Sequence, residues 1–249
     1  MDLQLAGHVA VVTGASRGLG REAVRGLATE GVNVLAVARS KDDLDQLQGE
    51  YPDQVACRVV DLRHESNLDG LVEDAVRTFG RLDIVVNNAG IAPAADFISQ
   101  DWAEWDQVFA VNVTAAARLS QAAGRVFIPQ RRGKVINVAS TAGILGKATL
   151  VAYSASKGAL IQLTRALAAE WARHGIQVNA IAPGAFETEA QRRVLDDPDL
   201  LQRRIRKIPA RRMAHPQEIR PLICYLSSPL SDFITGSVYV IDGGETARQ

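Results

Sequence analysis

Short apolar runs rich in β-branched residues alternate along the chain with longer stretches of helical periodicity. The apolar runs predict strands at 9–13, 32–37, 55–60, 82–86, 134–138, 176–181 and 237–241. Strands that alternate with helices in this way pair in parallel, because each helix carries the chain back across the sheet. The pattern therefore predicts an α/β fold, a seven-stranded parallel sheet with helices on both faces.

The intervening stretches predict helices at 18–30, 42–47, 65–79, 101–127, 151–173 and 216–226. Asp101 and Glu104 resemble a capping box at the start of the fourth helix. Gly124 and Pro129 are expected to end that helix, because glycine and proline are both poor helix formers. No linker or internal repeat interrupts the pattern, so residues 1–249 are predicted to form one domain.

One segment departs from the alternating pattern. Residues 185–214 form a polar excursion before the last helix and are expected to cover the substrate as a lid. Substrate contacts are predicted to come from this excursion and from residues 141–150. The basic run 203–207 could bind an anionic substrate group, although such runs are usually solvated helix faces. Glu187 could likewise influence the accepted substrate charge or point into solvent.

Composition restricts the class of protein. The chain has 249 residues, which suits a single large α/β domain. Its 28 basic residues equal its 28 acidic residues, so no overall positive field favours nucleic acid or an anionic membrane. Neither a signal peptide nor an apolar run of about eighteen residues is present, so a soluble, cytoplasmic protein is expected. Two cysteines and four scattered histidines predict neither a disulfide framework nor a metal site.

A glycine-rich loop follows the first predicted strand and opens the first helix. It reads Thr13-Gly14-Ala15-Ser16-Arg17-Gly18-Leu19-Gly20. Glycines allow a tight turn and a close approach of backbone to a pyrophosphate, and a helix N-terminus supplies free N–H groups. Glycine-rich loops also occur as ordinary turns, but the position after the N-terminal strand favours a dinucleotide site.

The end of the second predicted strand indicates which dinucleotide is bound. An acidic residue there would hydrogen-bond the ribose hydroxyls of NAD(H), but the chain has Arg39. A guanidinium is a bidentate donor for the 2′-phosphate of NADP(H), and Arg17 could be a second donor. NADP(H) is therefore favoured. The alternative is that Arg39 only caps a surface turn and that NAD(H) is used.

Tyr153 and Lys157 stand four residues apart in a predicted helix, thirteen residues after Ser140. Positions i and i+4 share one helix face, so a phenol and an ammonium would lie side by side. A neighbouring cation favours the phenolate and would bring the tyrosine pKa from about 10 towards neutrality. The pair then forms an acid/base catalyst, although the same spacing occurs by chance on solvated helix faces.

Taken in order, the glycine loop, Asn87-Asn88-Ala89-Gly90, Ser140 and the Tyr153–Lys157 pair resemble the short-chain dehydrogenase/reductase family. The resemblance spans essentially the whole chain. It implies a doubly wound Rossmann-type fold and an enzyme with a small carbonyl or alcohol substrate. It also implies a homodimer or homotetramer, to which the apolar strand at 238–241 could contribute.

The resemblance further implies residue roles. Ser140 would hydrogen-bond the substrate oxygen, Tyr153 would exchange its proton, and Lys157 would hold the nicotinamide ribose and lower the pKa of Tyr153. Asn112, the fourth member of the catalytic tetrad, would anchor a water, although an asparagine here could instead kink or cap the helix. The implied cofactor-binding residues are Gly14, Ser16, Arg17, Gly18, Leu19, Gly20, Arg39, Asp61, Leu62, Asn88, Ala89, Gly90, Tyr153, Lys157, Pro183, Gly184, Phe186 and Thr188.

Three functions remain open at this point. The chain is similar to the branch that includes 3-oxoacyl-thioester reductases and gluconate 5-dehydrogenases, and the first of these is preferred. A thioester reductase would need a groove for an acyl-phosphopantetheine arm and a basic docking patch, for which Gln130-Arg131-Arg132 is the candidate. A sugar-acid dehydrogenase would need a compact polar pocket. A nucleotide-binding protein without catalysis is the third, disfavoured by the intact Tyr153 and Lys157.

Overall fold

The computed structural model describes residues 2–64 and 68–247. Seven parallel strands within these ranges form one sheet in the order β3-β2-β1-β4-β5-β6-β7. They are β1 (Val9–Thr13), β2 (Asn33–Ala38), β3 (Val55–Val59), β4 (Ile84–Asn87), β5 (Gly133–Val138), β6 (Ile176–Pro183) and β7 (Val238–Ile241). The predicted fold class is confirmed, and each predicted strand boundary lies within about two residues of the observed one.

The strand order reverses between β1 and β4. Val11 pairs with Leu35 of β2 on one side and with Val85 of β4 on the other. The chain thus moves outward from β1 to β3 and then returns to the opposite side of β1. The helical connections diverge at such a point and leave a crevice beyond the carboxyl ends of the two strands.

Helices cover both faces of the sheet. They are α1 (Gly18–Thr29), α2 (Lys41–Glu50), α3 (Asp69–Phe79), α4 (Trp102–Phe109), α5 (Ala115–Gln130), α6 (Val151–Trp171), α7 (Arg192–Leu195), α8 (Pro198–Arg206) and α9 (Arg220–Ser227). Ala10 and Val12 of β1 pack into one core with α1 and α9, whereas Val9 and Val11 pack into the other with α3 and α5. The predicted start of the third helix at Glu65 lies outside the described residues.

The prediction that Gly124 and Pro129 end the fourth helix was wrong. Both lie inside α5, which continues to Gln130 before Arg131 adopts a left-handed conformation with φ of 51°. A Cβ on Gly124 would lie 3.1 Å from the Trp171 ring of α6, so the glycine gives that ring its space. Pro129 lies next to the helix end, where its missing N–H removes only one helical hydrogen bond.

The excursion at 185–214 contains the short helices α7 and α8 and has its own apolar contacts. Ala185, Ile208 and Met213 are buried together in a small cluster. Phe186 forms an isolated parallel bridge with Ala214, which ties the two ends of the excursion to each other. Within the described ranges, no helix is long and apolar enough to cross a membrane, and no group of three or more His, Cys, Asp or Glu could hold a metal ion.

Candidate active site

A cleft of about 990 Å³ opens beyond the carboxyl ends of the central strands. It brings together almost all of the residues predicted from the sequence. The predicted residues that line it are Gly14, Ser16, Arg17, Gly18, Leu19, Arg39, Asp61, Leu62, Asn88, Ala89, Gly90, Ser140, Tyr153, Lys157, Pro183, Gly184, Phe186 and Thr188. Gly20 and Asn112 are the two predicted residues that do not line the cleft.

The glycine loop is held against the segment that follows β4. The Asn88 side chain donates from Nδ2 to the carbonyl oxygens of Thr13 and Gly14, at 2.9 and 3.2 Å. Gly14 and Gly18 have φ of 66° and 53°, a region that favours glycine. A Cβ on Gly20 would lie 2.2 Å from the Gly14 carbonyl oxygen. The loop therefore needs glycine at these positions, and the cradle that results fits a pyrophosphate at the N-terminus of α1.

Basic side chains gather at the end of the cleft beside β2. Arg39 is exposed there, directly after the strand. Asp61, one of the predicted cofactor-binding residues, is bound by Arg63, whose Nε lies 2.9 Å from Oδ2, and this contact lowers the pKa of Asp61 to about 2. Arg63 was not identified from the sequence, because nothing in the local pattern pairs it with Asp61. Arg17 lies 4.0 Å from Glu189 of the excursion.

Ser140, Tyr153 and Lys157 meet at the opposite end of the cleft. Ser140 follows β5, and its Oγ accepts a hydrogen bond from the Ala142 backbone at 3.1 Å. Tyr153 and Lys157 lie in the first two turns of α6, as the i, i+4 spacing predicted. The Lys157 Nζ donates to the Val138 carbonyl at 2.7 Å and lies 5.7 Å from the centre of the Tyr153 ring.

Burial dominates the protonation of this pair. It raises the pKa of Tyr153, and the hydrogen bond with Ser140 only partly opposes that rise. It also lowers the pKa of Lys157 to about 8. The expectation that Lys157 alone brings the phenol pKa towards neutrality is therefore wrong for the protein without ligands. Desolvation, which depends on the whole fold, exceeds the attraction that the spacing suggests.

Asn112 lies in a π-helical turn, Ala110–Thr114, between α4 and α5. Its Oδ1 accepts from the Ile91 backbone at 2.8 Å, and its Nδ2 donates to the Ile91 carbonyl at 3.0 Å and to Ser156 Oγ at 2.9 Å. A Cβ on Gly90 would lie 3.3 Å from both Asn112 Oδ1 and Lys157 Nζ. The amide thus joins the loop after β4 to α6, which agrees with the helix-kinking alternative. Its predicted role in holding a water stays a prediction.

The remaining wall of the cleft near Tyr153 was only partly predicted. Lys147 and Leu150 come from the expected segment 141–150, and the excursion contributes Glu189, Ala190 and Gln191. Ile91, Ala92, Gln107 and Val111 also line the cleft and carried no sequence signal. Glu187 does not line it, and its Oε2 lies 2.9 Å from His215 Nδ1 instead.

Comparisons with known proteins agree with this geometry. A family model described as "Enoyl-(Acyl carrier protein) reductase" matches residues 14–246. Gluconate 5-dehydrogenase of Gluconobacter oxydans (strain 621H) is 36% identical over 248 residues, which cover 97% of this chain and 96% of that protein. The 3-oxoacyl-[acyl-carrier-protein] reductase of Thermotoga maritima is 35% identical over 245 residues, which cover 97% of this chain and 99% of that protein.

Solved structures give the same result. A gluconate 5-dehydrogenase from Burkholderia cenocepacia J2315, crystallised in complex with NADP and tartrate, matches with a TM-score of 0.94 and 32% identity. The match covers 100% of this chain and 98% of that one. Sequence and fold are thus shared with these enzymes over nearly their whole length. The chain belongs to the short-chain dehydrogenase/reductase family and is an oxidoreductase.

Proposed function

We propose that this protein is an NADP(H)-dependent oxidoreductase that interconverts a secondary alcohol and a ketone on a small polyhydroxy substrate, as a gluconate 5-dehydrogenase does. One observation carries the proposal. A single cleft holds the glycine loop and Arg39 at one end and Ser140, Tyr153 and Lys157 at the other. We also propose that residues 1–249 act as one domain, with 185–214 as a lid over the substrate.

The donors in the cleft fit NADP(H). The glycine loop would hold the pyrophosphate, Arg39 and Arg17 the 2′-phosphate, and Thr188 the carboxamide. The structurally similar gluconate 5-dehydrogenase from Burkholderia cenocepacia, which was crystallised with NADP, supports the preference for NADP(H). Nicotinamide, when bound, supplies or accepts the hydride.

The side chains near Tyr153 would handle the proton and the developing charge. Reduction of a ketone places negative charge on its oxygen, and the Ser140 hydroxyl would donate a hydrogen bond to that oxygen. Tyr153 would give its phenolic proton to the same oxygen and would take the proton back in the oxidation of an alcohol. The Lys157 ammonium would stabilise the phenolate formed in between.

The preference for a thioester substrate is reversed in this proposal. The candidate docking patch 130–132 precedes β5, whereas the cleft lies beyond the end of that strand. Because β5 has six residues, about 20 Å separate the two. The patch is also engaged within the chain, since Arg132 Nη2 lies 2.8 Å from Asp83 and Arg131 Nη2 donates to the Arg173 carbonyl at 3.1 Å. The gluconate dehydrogenases among the relatives support the polyhydroxy class.

A spectrophotometric screen tests the proposal. The purified protein should oxidise NADPH at about 340 nm with keto-sugar acids or ketoses, and more slowly with 3-oxoacyl thioesters. Turnover with thioesters alone would favour the rival substrate class. Tight NADPH binding without turnover of any carbonyl would contradict both enzymatic proposals.

Arg39→Asp should exchange the cofactor preference. A carboxylate at this position repels the 2′-phosphate and can accept hydrogen bonds from ribose hydroxyls. We expect the ratio of kcat/KM for NADPH to that for NADH to fall by about 100-fold. Steady-state kinetics with both cofactors measure this ratio. An unchanged ratio would show that Arg39 does not contact the phosphate.

The two directions of the reaction should respond differently to pH. Because burial raises the pKa of Tyr153, the phenol is protonated near neutrality, ready to donate but not to accept a proton. We therefore expect kcat for alcohol oxidation to rise between about pH 6 and about pH 10. We expect kcat for ketone reduction to stay nearly constant over the same range, because a phenol with a raised pKa stays protonated throughout it. Unfolding temperatures measured at each pH serve as the control for stability. A flat oxidation profile would contradict the acid/base role.

A further inference from the structure

Lys147 lies in the wall of the cleft near Tyr153. Its backbone nitrogen donates to Ser154 Oγ at 3.3 Å, and its carbonyl accepts from the Leu150 backbone at 3.2 Å. These bonds fasten Lys147 to the first turn of α6, beside the proposed acid/base catalyst. The residue is half-buried, whereas most lysines are exposed.

Among the described residues, no carboxylate forms an ion pair with the Lys147 ammonium. In the part of the chain that the structure describes, no carboxylate lies within 4.0 Å of it, although ion pairs of that length are common elsewhere in the molecule. Burial lowers its pKa, and the nearby cations Arg204 and Lys207 act in the same direction. An ammonium that is partly desolvated and has no carboxylate beside it gains when an anion binds to it.

The acid whose charge acts on Lys147 already has another partner. Glu245 is the only anion that favours the charged form of Lys147 among its neighbours in the described ranges. Both Glu245 oxygens are bound by the Arg204 guanidinium, with Nη2 2.7 Å from Oε2. Lys147 and the exposed Lys207 at the end of α8 therefore add positive charge at this side of the cleft that Glu245 does not neutralise.

We infer that Lys147 binds a carboxylate of the substrate, and that the preferred substrates are therefore hydroxy acids or keto acids rather than neutral polyols. The inference rests on the proposed function and narrows its substrate class. A carboxylate would neutralise the desolvated ammonium and fix the substrate chain relative to Tyr153 and Ser140. Positive charge from Lys207 would attract the anion toward the cleft before it binds.

Other anions fit this position less well. The 2′-phosphate of the cofactor belongs to the opposite end of the cleft, beside Arg39. The phosphate of an acyl-phosphopantetheine lies at the far end of a long arm from its reacting carbon. An anionic group bound by Lys147 lies next to the turn that carries Tyr153. It must therefore belong to a small substrate, in which the anion is only a few bonds away from the reacting carbon.

Calorimetric titration of the protein with NADPH bound, a complex that cannot oxidise an alcohol, tests the inference directly. D-gluconate is the carboxylate probe, and sorbitol, which has the same chain without the carboxylate, is the neutral probe. We expect Lys147→Gln to weaken gluconate binding by about 10- to 100-fold relative to sorbitol, because it removes one charge-assisted hydrogen bond. Lys147→Arg should restore most of the affinity. Arg77→Gln removes one exposed positive charge from α3, outside the cleft, and should leave the ratio unchanged.

The outcomes separate this inference from the proposed function. Gluconate affinity that is equal in wild type and Lys147→Gln, or a wild type that binds sorbitol as well as gluconate, would overturn the carboxylate role. Turnover of neutral ketoses with NADPH would still support the oxidoreductase proposal in that case. Tight binding of phosphopantetheine that depends on Lys147, with no such dependence for gluconate, would assign the lysine to a thioester arm and also overturn the inference.

Discussion

Replacing Tyr153 by phenylalanine should lower kcat by at least about 100-fold in both directions, with the affinity for NADPH nearly unchanged. The phenol is the proposed proton donor to the substrate oxygen, and its hydrogen bond with Ser140 places the hydroxyl in the cleft. Phenylalanine keeps the buried ring and its contact with Lys157. The loss should therefore appear in the chemical step rather than in folding.

Stopped-flow and steady-state kinetics, with fluorescence titration of NADPH, would measure these effects. Tyr51→Phe is a matched control, since it also removes one phenolic hydroxyl, which lies 3.4 Å from Thr29 Oγ1 outside the cleft. That variant should retain wild-type kcat. Wild-type turnover in Tyr153→Phe would refute the proposed role of the phenol.

Gly20→Ala should damage both stability and cofactor binding. The new Cβ would lie 2.2 Å from the Gly14 carbonyl oxygen and 2.3 Å from Asn88 Nδ2, and neither can move without breaking the contacts that hold the glycine loop. Overpacking of this kind costs about 3 kcal/mol, which corresponds to a fall of roughly 6 to 12 °C in Tm for a chain of this size. NADPH affinity should fall as the loop is displaced. Differential scanning calorimetry and NADPH titration measure the two effects.

Gly49→Ala provides the comparison for that experiment. Gly49 lies in α2, and a Cβ there would meet nothing within 4 Å. Alanine is favoured over glycine inside a helix by about 0.5–1 kcal/mol, so this variant should be slightly more stable than wild type and should bind NADPH normally. Equal Tm values for the Gly20 and Gly49 variants would show that the glycine loop tolerates a side chain.

The fold was predictable because its central strands are buried on both faces. Such strands are mostly apolar, and β1 was predicted from Val9 to Thr13, as observed. The cleft followed from the same reasoning, since a glycine loop at the end of β1 and a serine at the end of β5 must meet at one edge of a parallel sheet. Local sequence was sufficient where residues adjacent in the sequence determine the conformation.

What could not be predicted depends on contacts between distant segments. In the sequence, Gly124 suggests the end of a helix. In the structure it lies inside α5, where a side chain would crowd the ring of Trp171, 47 residues later. Lys147 is an ordinary surface residue in the sequence, and only the fold shows that it is half-buried in the cleft wall, where Arg204, Lys207 and Glu245 act on its charge. The direction of the Tyr153 pKa was missed for the same reason, because desolvation is a property of the assembled cleft.

The π-helical turn at 110–114 also determines which side chains α4 and α5 direct toward their neighbours. An additional residue rotates everything beyond it by about 100° relative to an uninterrupted α-helix. Before the turn, Trp105 and Phe109 stack on each other with ring centres 5.1 Å apart, whereas beyond it Leu119 and Phe127 point into the sheet. Removing one residue from this turn would rotate α5 so that Leu119 and Phe127 no longer face the sheet. It would also break the hydrogen bonds between Asn112 and Ile91. The packing of α5 and the position of the loop after β4 thus both depend on the one extra residue of this turn.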